Sequence, residues 1–209
     1  MEINYLGRSC FKIVGKKISV LLDPYDPEII GLKLSKQEAD VVTISHNHKD
    51  HNYKEAVKGE YLLLDSPGEY EIKDAEFMGI FAPHDEKNGE ERGQVTIFTM
   101  DIDDIRICHL SDLGTELTSE QLDKVDGVDI LMIPVGGKYT IDSKKAVKVI
   151  SQIEPKIVIP MHYKQGKKTD LESLDSFLHE MAVSPTPQEK LKVQAKDLPE
   201  ELEVVVLKN

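Results

Sequence analysis

The chain has 209 residues, 40% of them hydrophobic and 31% charged, with two cysteines, no tryptophan and a formal net charge of −12. That length suits one medium-sized domain with a full apolar core that needs no disulfide staples. So acidic a chain is excluded as a general nucleic-acid binder, which needs a basic surface.

Cys10 and Cys108 have neither a CxxC spacing nor a disulfide framework, and each lies in an apolar stretch, so buried free thiols are expected. The start, MEINYLGRSCFKIVG, lacks the basic leader and long apolar run of a secretory signal. No stretch reaches the roughly 18 apolar residues of a membrane span. A cytoplasmic protein with no membrane partner is the expectation.

The first 22 residues read as short strands with a hairpin. Apolar residues alternate through Phe11 and Ile13, then Ile18, Val20 and Leu22, about a turn at Gly15-Lys16-Lys17. Asp23-Pro24 stops the ladder, because proline has no amide hydrogen to donate. A short apolar strand at 41–44 delivers the chain to Ser45-His46-Asn47-His48. Further strands are expected at 61–64, 69–72, 75–82, 94–100 and 105–110, with a polar loop at 83–93 that no core needs. The second half alternates helix and strand. Thr118 or Ser119 caps a helix through Val125, and 129–134 is a strand leading into Gly136-Gly137. Asp142 caps a helix through Ile153, whose Ala146, Val149, Ile150 and Ile153 share one face. A strand at 157–159, a helix at about 170–181 and a closing strand at 203–207 follow. The loop around Pro185-Thr186-Pro187-Gln188 is the expected mobile segment. Two runs of strands, each followed by helices, give two sheets with helices outside, a layered α/β arrangement in a single domain over 1–209.

Four expected strands end in a metal-capable residue: His46 after 41–44, His84 after 75–82, Asp112 after 105–110 and His162 after 157–159. Loops at strand ends are where α/β folds place function on a rigid scaffold. The strongest signal is His46-Asn47-His48-Lys49-Asp50-His51. Residues two apart in an extended segment point the same way, so His46 and His48 can hold one ion together. Asp50 and His51 then reach a neighbouring position as the chain turns into a helix. Imidazole nitrogens and carboxylate oxygens suit zinc, and also manganese or iron. A polar loop with scattered histidines would not concentrate four ligand types in six positions of a chain with seven histidines. His84, Asp112 and His162 are weak singly and gain weight by completing two coordination shells. Asp23 reads either as an acceptor for a ligand imidazole or the metal loop, or as a plain Asp-Pro turn. His109 reads as a buried structural histidine ahead of a substrate contact. Tyr139 and Tyr163 read as core residues ahead of proton donors or substrate contacts.

Taken together, SHNHKDH at 45–51, APHD at 82–85, HLSDLG at 109–114 and IPMHY at 159–163, preceded by LLDP at 21–24, are similar to the metallo-β-lactamase superfamily, in its order. PGEYEI at 67–72 and IPVGGKYTID at 133–142 resemble a branch of small Zn-dependent hydrolases within it. The resemblance implies an αββα four-layer sandwich with a two-ion site at one edge of the sheets. It places His46, His48 and His84 on the first ion, Asp50, His51 and His162 on the second, and Asp112 as a bridge. It implies two divalent ions, zinc first, with manganese or iron(II) as alternatives. A hydroxide shared between them would attack an ester, lactone or phosphoester of a small molecule, with Asp50 orienting the nucleophile. Ser111 departs from the glycine usual before the bridging aspartate, and Arg8 stands where relatives often carry histidine. The alternative is a metal-binding protein of the same fold without turnover, in a sensing or binding role. A homo-oligomer is compatible with the sequence, although no interface stands out.

Overall fold

The computed structural model describes residues 1–165 and 170–209. Its first sheet grows from a hairpin of β1 (Glu2–Gly7) and β2 (Cys10–Val14), with β3 (Ser19–Leu22) returning antiparallel to β2. The one-turn helix α1 (Pro27–Ile30) and β4 (Gln37–Glu38) come next. They lead to β5 (Val41–Thr43), a 3-10 turn at Lys54–Ala56, β6 (Val57–Lys58) and β7 (Leu62–Leu64). An antiparallel run follows: β8 (Gly68–Ile72), β9 (Ala75–Pro83), β10 (Gln94–Ile102) and β11 (Ile105–His109). Helices then alternate with strands in α2 (Ser119–Val125), β12 (Ile130–Pro134), α3 (Ser143–Ile153), β13 (Ile157–Met161) and α4 (Leu174–Glu180). Short strands β14 (Leu191–Lys192) and β15 (Glu203–Val204) close the chain.

The first sheet has the order β14-β1-β2-β3-β5-β7 and the second β15-β13-β12-β11-β10-β9-β8, with β4 and β6 as a separate pair. The alternation seen in the sequence buries Ile3, Tyr5, Phe11, Ile13, Val20 and Leu22 of the first sheet in one core with Phe77, Phe98, Met100 and Ile107 of the second. Helix α3 adds Ala146, Val149 and Ile150 to that core. Its cap is Asp142, which accepts from Lys145 N, while Thr118 and Gln121 form a reciprocal capping box on α2. No helix among the described residues is long and apolar enough to cross a membrane.

Several expected elements differ in extent. The only helix between β3 and β5 is the single turn α1, because Pro24 and Pro27 interrupt the stretch and Gly31 ends the helix in a left-handed conformation (φ 74°). The outer face of the first sheet is therefore covered mainly by irregular chain. There Ile30, Leu32 and Leu34 pack on a second small core of Cys10, Leu21, Tyr25, Ala39, Val42 and Ile44. No helix follows His51; the chain makes a turn and then the 3-10 turn Lys54–Ala56. Helix α4 starts at Leu174 rather than near 170, and β15 stops at Val204. The segment expected to be mobile is tied down at its end: Gln188 N donates to Val206 O, and Lys208 N donates to Gln188 O.

Strand direction positions the site. Strands β1, β3 and β5 run the same way in the first sheet, because each of the pairs β1–β2 and β2–β3 is antiparallel and β3–β5 is parallel. By the same count β9, β11 and β13 share a direction in the second. Arg8, Asp23, the loop after Thr43, His84, Asp112 and His162 all follow the ends of these strands. Thr96 N donates to Ser45 O (2.8 Å), joining the two sheets at that edge.

Two glycines hold this edge close. A Cβ on Gly136 would collide with the carbonyl oxygen of His162, and one on Gly114 with the backbone of His84 and Asp85. Gly136→Ala is expected to destabilise the protein by about 1–3 kcal/mol, the usual penalty of forced overpacking. A thermal melt unchanged from the parent would contradict that close packing.

Candidate metal centre

At this edge the seven residues expected from the sequence come together. His46 Nε2 lies 2.9 Å from His48 Nδ1, which lies 3.3 Å from His84 Nε2. Asp112 Oδ2 is 3.2 Å from His51 Nε2, 3.5 Å from His84 Nε2 and 4.0 Å from His46 Nε2. Its other oxygen, Oδ1, is 3.4 Å from His162 Nε2. Three triads have all their ligand atoms within 4.8 Å of one another: His46, His48 and His84; His46, His51 and Asp112; and Asp50, His51 and His162. The first and third share no residue, and Asp112 touches members of both.

The donor set fits a metal. Among the described residues, His51 Nε2, His84 Nδ1, Asp112 Oδ1 and both ring nitrogens of His162 are buried without a hydrogen-bond partner. Buried polar atoms are ordinarily paired, so such a concentration marks a place made for another group. Electrostatics agree. Burial drives the pKa of His46 down to about 3 and that of His162 to about 4, which keeps both rings neutral and free to offer a lone pair. Burial works against ionisation of Asp112, yet His162 and His51 outweigh it and hold the carboxyl well below its usual range. His51 goes the opposite way. Burial favours its neutral form, but Asp112 and Asp50 overcome that and raise its pKa. Positive charge is needed between these carboxylates, where a divalent ion would supply it.

Around the ligands lies a buried hydrogen-bond frame that the sequence only hinted at. Asp23 is fully buried. Its Oδ1 accepts from Ser45 N (2.8 Å), and its Oδ2 from His51 Nδ1 (2.8 Å), Ser45 Oγ (2.7 Å) and Ser111 Oγ (2.8 Å). Both of its proposed roles are thus filled at once, on a ligand imidazole and on the metal loop. Burial opposes its ionisation, but the hydrogen bond from His51 prevails and the pKa falls to about 2. Arg8, Asp23, Ser111 and His162 all have positive φ (55°, 43°, 46° and 52°), a region sparsely used by side-chain-bearing residues. Such strain, of order 1–3 kcal/mol per residue, gathers at functional sites.

The remaining candidates separate. His109 is fully buried, its Nε2 2.8 Å from Ser9 O, and its ring meets Phe11 edge-on; it supports the turn that carries Arg8. Tyr163 packs against Tyr5, and burial pushes its hydroxyl up to about 12. Tyr139 departs from the expected core role: half-buried, it lines a pocket of about 340 Å³ over the centre with Arg8, Lys49 and Arg92. Asp85 organises the 85–93 loop, its carboxylate accepting from the backbone of Lys87, Gly89, Glu91 and Arg92. Arg8, noted in the sequence only as a departure, reaches Asp50 Oδ2 with Nη2 at 2.5 Å.

Residues 2–162 match the family model of the β-lactamase superfamily domain. The chain belongs to the metallo-β-lactamase superfamily. The likeness runs nearly end to end: a proposed Zn-dependent hydrolase of this superfamily from Thermotoga maritima is 32% identical, with a TM-score of 0.81 over 99% of this chain and 97% of that one. A UPF0173 protein from Pyrococcus abyssi is 30% identical over 187 residues, 78% of this chain and 83% of the relative. A UPF0173 metal-dependent hydrolase from Thermococcus onnurineus is 27% identical over 190 residues, 78% and 84% of the two chains. In this chain Ser111 occupies its left-handed turn with all seven candidate ligands still in place. Its hydroxyl gains bonds to Asp23 and Ser45 Oγ that glycine cannot make.

Proposed function

We propose that the chain is a metal-dependent hydrolase that cleaves an ester, lactone or phosphoester of a small molecule with two divalent ions, zinc foremost. The observation carrying this reading is the set of buried, unpartnered ligand atoms on His51, Asp112 and His162 at the shared strand edge, among the described residues. The name of the Thermococcus relative supports it. His46, His48 and His84 would hold one ion, Asp50, His51 and His162 the other, and Asp112 both. Bound there, the ions supply water activation near neutral pH and polarise the substrate oxygen.

The chain's own residues prepare that chemistry. His51 gives its Nδ1 proton to Asp23, which leaves Nε2 as the ligand atom and fixes the ring. His46 Nδ1 sits 2.8 Å from Ser45 Oγ, leaving its Nε2 toward His48. Asp50 stays ionised: burial resists this, but His51 and Arg8 hold its carboxyl well below the usual carboxylate range. An ionised Asp50 can accept a hydrogen bond from the attacking water and orient it.

Elemental analysis and a panel of lactones, carboxyl esters and phosphodiesters test the proposal. The parent is expected to hold two ions per chain and to turn over at least one class. Asp50→Asn weakens one proposed ligand of the second ion, so it is assayed with zinc in excess, where it is expected to lose about 10²–10⁴-fold in rate, the usual contribution of a positioned acid–base group. Fewer than one ion per chain after metal-replete expression would refute the metal site. Bound metal with no turnover anywhere in the panel would favour the sensing or binding role.

A further inference from the structure

The rim of the pocket carries a charge opposite to that of the chain. Among 26 basic residues only three are arginine, Arg8, Arg92 and Arg106, in a protein of net charge −12. Two of those three, Arg8 and Arg92, line the pocket over the metal centre, together with Lys49. Solubility does not require this. It calls for scattered charge, and lysine serves as well as arginine. Arginine is favoured where a planar oxyanion is gripped by two parallel N–H donors.

Both side chains are held in place. Arg8 is buried on a turn at φ 55°. Its backbone N donates to Gln165 Oε1 (2.9 Å), and its carbonyl accepts from Tyr5 Oη (2.8 Å) and His162 N (2.9 Å). Its Nη2 meets Asp50, yet its Nε is buried with no partner among the described residues. A guanidinium has five N–H donors, so one carboxylate leaves most of them over. Arg92 is anchored through its backbone N to Asp85 (2.8 Å), and its guanidinium lies 4.4 Å from the centroid of the Tyr139 ring. Among the described residues neither Arg92 nor Lys49 has a carboxylate partner, although the chain holds 38 acidic residues. A cation laid flat on an aromatic face keeps its edge donors free.

We infer that this pocket selects a substrate bearing an oxyanion, a carboxylate or phosphate beside the bond that is cleaved, and that Arg8 and Arg92 hold it. The inference rests on the hydrolase reading for the cleavage step but on the rim alone for the anion. Arg8 is the inner anchor, next to Asp50, and Arg92 closes the outer side from the loop that Asp85 organises. A neutral substrate of the same shape leaves buried donors of Arg8 unpaired and is rejected for that reason.

Titrating the zinc-loaded protein with inorganic phosphate and, separately, with succinate tests this, with zinc content measured in every sample. Arg92 touches no proposed ligand, so in Arg92→Gln zinc contributes as in the parent and the ratio of dissociation constants isolates the rim, whereas Arg8 also meets Asp50 and its variant is read only at zinc content equal to the parent's. Arg92→Gln is expected to weaken the better-bound anion about tenfold, the loss typical of a charge-assisted hydrogen bond at a partly wet site, with Arg92→Lys recovering part of it. Arg8→Gln is expected to weaken it further, its guanidinium being the more buried. The tighter of phosphate and succinate identifies the oxyanion. Dissociation constants within twofold of the parent in both glutamine variants, at equal zinc content, would overturn the inference and leave the hydrolase reading standing. Zinc-free protein that still shows the Arg92→Gln difference would support the rim as the anion site independently of the hydrolase reading.

Discussion

Stripping divalent ions with EDTA is expected to lower the melting temperature by about 8–16 °C, and re-adding zinc to restore it. An ion present at a thousand times its dissociation constant stabilises the fold by about 4 kcal/mol, and a chain of this length shifts by roughly 2–4 °C for each kcal/mol. The size of the drop depends on pH through the ligands themselves. Without an ion, His51 is the cation between Asp112 and Asp50, its pKa raised above the ordinary 6.5 despite burial. That contribution is fully present below pH 6.5 and is lost as pH climbs through the raised value. His46 and His162, pushed down by burial to about 3 and about 4, work the other way. Between those values and their ordinary 6.5 the unfolded chain binds their protons and the folded chain does not, so stability rises with pH. The metal-free protein is therefore most stable near pH 6.5 and weakens above it. Metal binding displaces the His51 proton and needs neutral imidazoles, so it gains as pH rises. The gap between loaded and stripped melts should widen from about pH 6.5 to about pH 8.5. Coincident melts at every pH would rule out the metal centre, and a gap that narrows with rising pH would rule out His51 as the compensating charge.

The candidate ligands were legible in the sequence because their chemistry is local. His46 to His51 announces itself within six positions, and His84, Asp112 and His162 each follow a strand whose apolar run is plain. That these ends meet follows from strand direction, which periodicity alone does not give. The parts that escaped depend on contacts between distant segments. Ser45 and Ser111 are ordinary turn residues until the fold puts both on Asp23. Asp85 looked like part of a polar loop, yet four backbone amides converge on it. Tyr139 follows an apolar strand and so suggested packing, but Gly136 and Gly137 turn it out to the pocket rim. For Arg8 the sequence offered its departure from the usual histidine, and for Arg92 only the scarcity of arginine in the chain. Over the first sheet α1 is only one turn long for a local reason, the prolines and glycine around it.

Asp23 is where fold and chemistry are most tightly joined, and its replacement should expose both. Asp23→Ala leaves Ser45 N, Ser45 Oγ, Ser111 Oγ and His51 Nδ1 without their acceptor in a fully buried place. Breaking a buried charged pair in this way costs about 3–5 kcal/mol, a loss of roughly 6–20 °C in melting temperature. That result alone would not separate a structural role from a role at the metal. Asp23→Asn does. It keeps the shape but brings an NH₂ group among four donors. If that group faces His51, Nδ1 must accept, the proton moves to Nε2, and the ligand lone pair is gone. If the amide turns the other way, it opposes Ser45 N and disturbs the start of the metal loop. Either orientation is expected to weaken metal affinity by about 10–100-fold, the range for partners that orient a ligand histidine. Competition with a fluorescent zinc chelator measures this on protein whose circular dichroism matches the parent. Folded Asp23→Asn protein with undiminished zinc affinity would show that His51 is not fixed through Asp23, and would reduce that aspartate to a turn residue.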